Sequence, residues 1–237
     1  MQNYILANVF TQIGKIFSTQ KYMKYVWRGL GNTVYISICA ALIGIFLGTL
    51  VALVKIQPKS KAWTVPKIIC EAYTTIIRGT PMALQLFIMA FAVFAIRGFP
   101  LAITAIIAFG INSGAYVSEN IRAGILSVDK GQTEAGRALG VSSGFTMMRI
   151  VIPQGMKNVI PSVGNELIAL IKETSIVSMV GTVYDLTYVS KLLGAPNELA
   201  TYLAPMLVSA EFYLLIVYAL TLAIKLIERR LRKSEKR

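Results

Sequence analysis

No histidine occurs anywhere in the 237 residues. That absence excludes Ser-His-Asp and Cys-His nucleophile systems, His-based zinc sites and histidine proton relays. Acids are scarce too: 11 Asp and Glu stand against 24 Lys and Arg, and the aspartates are only Asp129 and Asp185. Neither aspartate falls in a long apolar run, so a membrane-embedded enzyme lacks a nucleophile and base to work with. The two cysteines, Cys39 and Cys70, sit in apolar stretches without metal-ligand spacing, which leaves disulfide, redox and metal roles without a basis. The Gly-x-x-x-x-Gly-Lys-Ser/Thr loop that cradles nucleotide phosphates is missing as well.

What remains is apolar. Hydrophobic residues make up 55% and charged ones 15%, against about a quarter charged in a soluble domain, and the mean hydropathy is +0.63. This is the composition of an all-α integral membrane protein. Gly29 to Val54 carries no charge and is long enough to cross a bilayer. Uncharged runs at 79–96 and 98–118 are joined by Arg97-Gly98-Phe99-Pro100, a turn signal, and read as a helical hairpin. A fourth run at 159–183 is interrupted by Glu166, Lys172 and Glu173, and a fifth at 202–227 contains Glu211. The pattern predicts five transmembrane helices in a domain over 29–237, preceded by an N-terminal tail over 1–28. The first apolar run has no cleavage site after it and stays in the chain. In the tail Ile5, Val9, Ile13 and Ile16 recur at helical spacing, which predicts an amphipathic helix lying in the membrane interface.

Basic residues set the orientation. Around the first span they balance: Lys15, Lys21, Lys24 and Arg28 precede it, and Lys55, Lys59, Lys61 and Lys67 follow. Later loops decide. The hairpin turn has only Arg97 and the loop after the fourth span only Lys191, whereas 119–157 holds Arg122, Lys130, Arg137, Arg149 and Lys157. The C-terminal end adds Lys225, Arg229, Arg230, Arg232, Lys233, Lys236 and Arg237. Five spans then put the N-terminus outside, with the C-terminus and the segment between spans three and four in the cytosol. Membrane topology thus accounts for the positive charge without a nucleic-acid partner.

That cytosolic segment, about 127–153, is too long for a turn. Asp129 with Gln132 three residues on has the form of a capping box, 132–139 are good helix formers, and Gly140 sits where a left-handed cap belongs. A helix of about 8 residues, some ~12 Å long, is expected. Ser142 or Ser143 caps a second short helix, which Pro153 is expected to end or kink.

Glu134-Ala135-Gly136, then Gly140 and Ile152-Pro153, resemble the EAA loop of ABC importer permeases. Arg78-Gly79-Thr80-Pro81, Gly114-Ala115-Tyr116-Val117-Ser118-Glu119, Arg122-Ala123-Gly124, Gly131-Gln132 and Lys172-Glu173-Thr174-Ser175 are similar to the polar amino acid uptake branch of that family. Gly136 departs from the pattern, which has alanine there. The resemblance implies a permease subunit of a bacterial cytoplasmic membrane importer. It implies a coupling helix, built on Glu134, Ala135, Gly136, Arg137, Gly140 and Pro153, that docks on a cytosolic ATPase dimer. It also implies ATP on that partner and no cofactor on this chain, a second permease copy or homologous subunit, an extracytoplasmic substrate-binding protein, and an amino-acid substrate.

Polar groups within spans are candidates for the pathway, because lipid exposure is costly for them. Asn112, Tyr116 and Glu119 fall at i, i+4 and i+7 on one stripe, with Ser113 beside it. In the fourth span Asn165 pairs with Lys172, and Glu166 with Glu173, at i and i+7. Acids with Lys172 around one cavity would suit a zwitterion; equally, Glu119 and Arg122 could simply pair near a membrane face. Gly44 and Gly48 form a helix-packing motif. Arg78-Gly79-Thr80-Pro81 is either a mobile break or a static turn, and Glu211 either lines the cavity or pairs with a cation. An ion-driven secondary transporter is the competing reading. It leaves the dedicated cytosolic segment unexplained, and no inverted repeat is visible to support it.

Overall fold

The computed structural model describes residues 2–58 and 60–232, and it is helical throughout. Lys59, Lys233, Lys236 and Arg237, which enter the charge argument, lie outside the described residues, as do the side chains of Ile5 and Arg232. Helix α1 (Gln2–Ser18) breaks at Thr19, whose extended backbone (φ −95°, ψ 111°) turns the chain into α2 (Gln20–Lys55). Next come α3 (Lys61–Arg78) and α4 (Met82–Ile88), the latter extended by a π turn at Met89–Val93. Helix α5 (Leu101–Leu126) leads to α6 (Lys130–Ala138) and the single turn α7 (Ser143–Thr146). A π segment, Met147–Val151, passes directly into α8 (Ile152–Glu173), followed by a 3-10 stretch (Thr174–Met179), α9 (Leu186–Gly194) and α10 (Leu203–Arg232).

Helices α2, α5 and α10 are each long and apolar enough to span a bilayer. The second expected span is the far half of a bent unit, because α3 and α4 meet at 106° and make a fourth crossing only if counted together. The apolar-run reading treats 55–78 as a loop on account of its charges; those residues form α3 instead. The fourth expected span, α8, is helical but is not apolar enough to qualify on composition.

Helix directions follow from which residues meet. Gly44 lies against Ser113 and Gly48 against Val117, so α2 and α5 run parallel, and the α3–α4 unit between them must return the chain. Asn158 Nδ2 donates to Ser127 Oγ (2.9 Å) while Glu166 shares a pocket with Ser113, so α8 is antiparallel to α5. Gly164 meets Ile224 and Thr174 lies 3.5 Å from Tyr213 Oη, so α10 reverses again. The α6–α7 segment and the C-terminal end of α10 therefore share one end of the bundle, with α1 and α9 at the other.

Two expectations about local structure are corrected. The stripe of Val9, Ile13 and Ile16 does not face lipid: Val9 and Ile16 are buried with Leu186, Val189, Leu193, Leu199, Ala204 and Val208, and Ile13 packs against the same core. The apolar face of α1 is used to cap the ends of α9 and α10. Pro153 does not end the second short helix: the chain runs from α7 through the π segment Met147–Val151 into α8 without a break, and that π segment, just before the proline, is the local departure from regular helix. At the opposite end, where α1 and α9 lie, Asp185 caps α9, accepting from the N–H groups of Thr187 (3.1 Å) and Tyr188 (2.9 Å). Burial pushes its carboxyl above the usual range, against the pull of those donors and of Tyr213.

Candidate functional site

Asp129 caps α6 by accepting from Gly131 N at 2.7 Å. The reciprocal half of the capping box does not form, since Gln132 Oε1 instead accepts from Gln154 Nε2 at 3.2 Å. At the other end Gly140 is left-handed (φ +73°), Val141 N donates to Gly136 O (2.9 Å) and Gly140 N to Arg137 O (3.0 Å). Those two bonds are the Schellman pattern, in which a left-handed residue lets the chain leave the helix sharply while its last carbonyls stay satisfied.

Glu134, Ala135, Arg137 and Gly140 are exposed on this element, as is Pro153 further on. Gly136 is not. It is buried against Thr146 of α7, where an added Cβ would lie 2.6 Å from Thr146 Oγ1. The departure from alanine thus serves packing inside the segment, and Gly136 contributes nothing to its outer surface. Sequence reasoning misses the apolar side chains that flank α6: Leu139, Phe145 and Met148 are 81%, 55% and 65% exposed. An apolar stretch outside any span was the available signal.

The polar stripe on α5 turns out to be a seam for the α3–α4 unit. Asn112, buried, donates through Nδ2 to Gln85 Oε1 of α4 at 2.9 Å. The Arg78 guanidinium, at the end of α3, lies 5.3 Å over the Tyr116 ring. Glu119 pairs with Lys55 of α2 and with Arg122 (2.8 Å), while Lys55 also meets Glu71 of α3 at 3.0 Å and donates to Thr74 Oγ1 at 3.0 Å. The Lys55 side chain is 3% exposed, so this cation, counted as a loop charge in the sequence, is the buried centre of a three-helix ion cluster. Tyr73 Oη adds a hydrogen bond to Ile111 O (2.5 Å).

The other candidates divide. Ser113 Oγ is buried and makes no hydrogen bond of standard geometry. It faces a pocket of about 120 Å³ between α2, α5 and α8 whose other polar side chain is Glu166. Asn165 is exposed, and Lys172 lines a separate groove with Ser175 and Tyr213. Thus Ser113 and Glu166 come together, Asn112 and Tyr116 face the bend, and Lys172 joins neither group. Glu211 is exposed. Among the described residues no cluster of His, Cys, Asp and Glu could hold a metal ion.

Comparison with known proteins places this geometry. Residues 44–233 match the family described as binding-protein-dependent transport system inner membrane component. The arginine transport system permease protein ArtQ of Bacillus subtilis (strain 168) is 38% identical over 214 residues, covering 89% of this chain and 94% of that protein. The putative glutamine transport system permease protein GlnP of Rickettsia bellii (strain RML369-C) is 40% identical over 209 residues, covering 87% and 93%. Among solved structures, one described as an amino acid ABC transporter with histidines superposes with a TM-score of 0.82 at 34% identity, covering 91% of this chain and 98% of that one. An inward-facing MetNI methionine ABC transporter shares the fold, with a TM-score of 0.75 at 19% identity over 90% of this chain and 99% of that one. The chain is a multi-pass membrane permease subunit of a transport system and not an enzyme, and it belongs to the binding-protein-dependent transport system inner membrane component family.

Proposed function

We propose that this chain forms the translocation path of an ATP-driven importer for polar amino acids. A separate ATPase docks on α6, with Glu134, Ala135, Arg137 and Gly140 at the contact, and Leu139 and Phe145 supplying apolar area. An extracytoplasmic binding protein delivers the substrate. The relatives named for arginine and glutamine support an amino acid with a polar side chain. Positive charge supports a cytosolic location for α6 and the end of α10, with α1 and α9 outside.

Ser113 and Glu166 supply the polar pocket of the path: a carboxylate with a hydroxyl beside it offers acceptors to a substrate ammonium. Asn112 adds an amide donor suited to a carboxylate. Lys172 and Asn165, exposed on a helix held within a membrane bundle, are costly against lipid. We therefore place a second permease copy over that face of α8. The observation that carries the proposal is α6 itself, a capped, sharply terminated helix displayed outside the bundle. Its test is co-purification of an ATPase with the full-length chain, together with ATP-dependent uptake of labelled amino acids into proteoliposomes. Absence of both would overturn the reading.

A further inference from the structure

Among the described residues the α3–α4 elbow is the one sharp break between two helices that together are apolar enough to make a span, and one side chain spans the turn. Pro81 has no N–H to continue the α3 ladder and biases Thr80 towards extended backbone, so the break is dictated locally. The carbonyls it frees would be unsatisfied in an apolar setting. Gln85 satisfies them: its Nε2 donates to Ile77 O at 2.7 Å and approaches Thr80 O at 3.1 Å and Thr80 Oγ1 at 2.7 Å. Its Oε1 accepts from Asn112 Nδ2 of α5. A single amide thus holds both sides of the bend and ties it to α5. Beside it lies a nearly apolar cavity of about 250 Å³ lined by Ile77, Thr80, Gln85, Met89, Ala108 and Ile111, which gives the elbow room to move. The π turn at Met89–Val93 lies just beyond, a second departure from regular helix on the same arm.

We propose that Gln85 is the clasp of the elbow and that substrate releases it through Asn112. The inference rests on the reading of Asn112 as a pathway residue. A substrate carboxylate is a stronger acceptor than a neutral amide. When it takes the Asn112 donor, Gln85 loses its anchor on α5 and the α3–α4 angle is free to change. Occupancy is thereby converted into motion of one helical arm. Gln85 is a positioning residue: it acts on substrate only through Asn112 and on the bend through Ile77 and Thr80.

The test uses the full-length chain in lipid nanodiscs, with Cys39 and Cys70 replaced by alanine. Spin labels are attached at Ile69→Cys on α3 and Phe91→Cys beyond the elbow, positions 63% and 64% exposed. The wild-type background should give one short distance population, matching the 106° bend. Gln85→Leu, which keeps the bulk and loses every one of these bonds, should raise the ratio of open to bent elbow by about tenfold or more, since one hydrogen bond is worth about two- to tenfold. Asn112→Leu should shift it less and in the same direction. In the Gln85→Leu background Asn112→Leu should add nothing, because it acts through Gln85 alone. Thr80→Val, a milder change, should give an intermediate shift if Gln85→Leu fails to fold. A mixture of the protein amino acids should open the elbow of the wild-type background and leave the Gln85→Leu population unchanged.

An unchanged distance in Gln85→Leu, or an additive effect of Asn112→Leu, would overturn the clasp. A wild-type elbow that ignores the mixture while cells expressing the importer take up amino acids would overturn the trigger. Failure of uptake itself would instead count against the transport reading, and the clasp would be judged on the variant distances alone.

Discussion

Replacing Gly140 tests the proposed docking segment chiefly through its backbone. A Cβ at this position meets nothing within 4 Å in this chain, so inside the permease a substitution acts through the backbone, held at φ +73°; asparagine and valine, both larger than alanine, separate that strain from added bulk at the contact. An L residue in that conformation costs about 1–2 kcal/mol, asparagine less, and a β-branched side chain more. The penalty has a ceiling. If strain exceeds the value of the two closing bonds, from Val141 N to Gly136 O and Gly140 N to Arg137 O, the turn opens. Two bonds at about 0.5–1.5 kcal/mol each set that limit near 1–3 kcal/mol. Since 1–2 kcal/mol is roughly a factor of 5–30 in an equilibrium, Gly140→Ala should weaken binding of the ATPase by about that factor. Gly140→Asn should weaken it by less, and Gly140→Val by at least as much as alanine. The assay is a titration of nanodisc-held permease with the ATPase that co-purifies, with membrane insertion checked by fractionation. Equal loss for asparagine and valine would refute the backbone argument. Undiminished binding in all three would remove α6 from the docking surface.

Other outcomes can be checked in parallel. Gly136→Ala gains up to about 1 kcal/mol of helix propensity, but the new methyl must displace Thr146, and overpacking costs about 1–3 kcal/mol; thermal unfolding should show net loss, recovered in the double variant with Thr146→Ala. Lys55→Met leaves Glu119 and Glu71 without their shared cation and should lower stability by about 2–3 kcal/mol, less than for a wholly buried pair because Arg122 remains; adding Glu119→Gln should return part of the loss in the same melt. Glu166→Gln, nearly isosteric, should reduce amino-acid uptake far more than membrane abundance, and unchanged transport kinetics would move the path elsewhere. Cysteines at Lys130 and Lys191 should label from opposite sides of intact cells with an impermeant thiol reagent, and labelling of both from outside would break the proposed orientation.

Much of this architecture is legible in the residues, for reasons that also explain the gaps. Long apolar runs announce α2, α5 and α10 because lipid imposes its requirement on the sequence locally. Gly140 announces its turn because glycine is the residue that meets a positive φ without strain. Helix α3 is hidden because Lys61, Lys67, Glu71 and Arg78 interrupt its apolar pattern. The partners that make those charges tolerable, such as Lys55 for Glu71, are distant in the chain. The stripe of Asn112, Tyr116 and Glu119 is visible as a stripe, but its counterpart is not: spacing along one helix says which side chains share a face and nothing of what faces them. Gln85 is concealed for the same reason, a lone amide in an apolar helix whose value depends on a bend and on another helix. Gly136 is misjudged as outer surface because a family pattern records identity at a position and not its direction.

Close contact between α2 and α5 has a mechanical consequence. Gly44 and Gly48 on one helix, and Gly110 and Gly114 on the other, leave no gap into which a side chain could enter; carbons added at the first three would sit under 3 Å from Ser113, Val117 and Ile43, and one at Gly114 would lie 3.1 Å from Leu47 of α2. Two backbones meshed over two full turns cannot slide or roll against each other without collision, so the pair behaves as a stator. Any cycle that opens the path to one side and then the other has to be carried by the rotors around it, the bent α3–α4 arm on one flank and α8 with α10 on the other. If an ATPase docks on α6 as proposed, force applied there would reach α5 and α8 through the segment that joins them, and that junction would be the drive shaft of the machine.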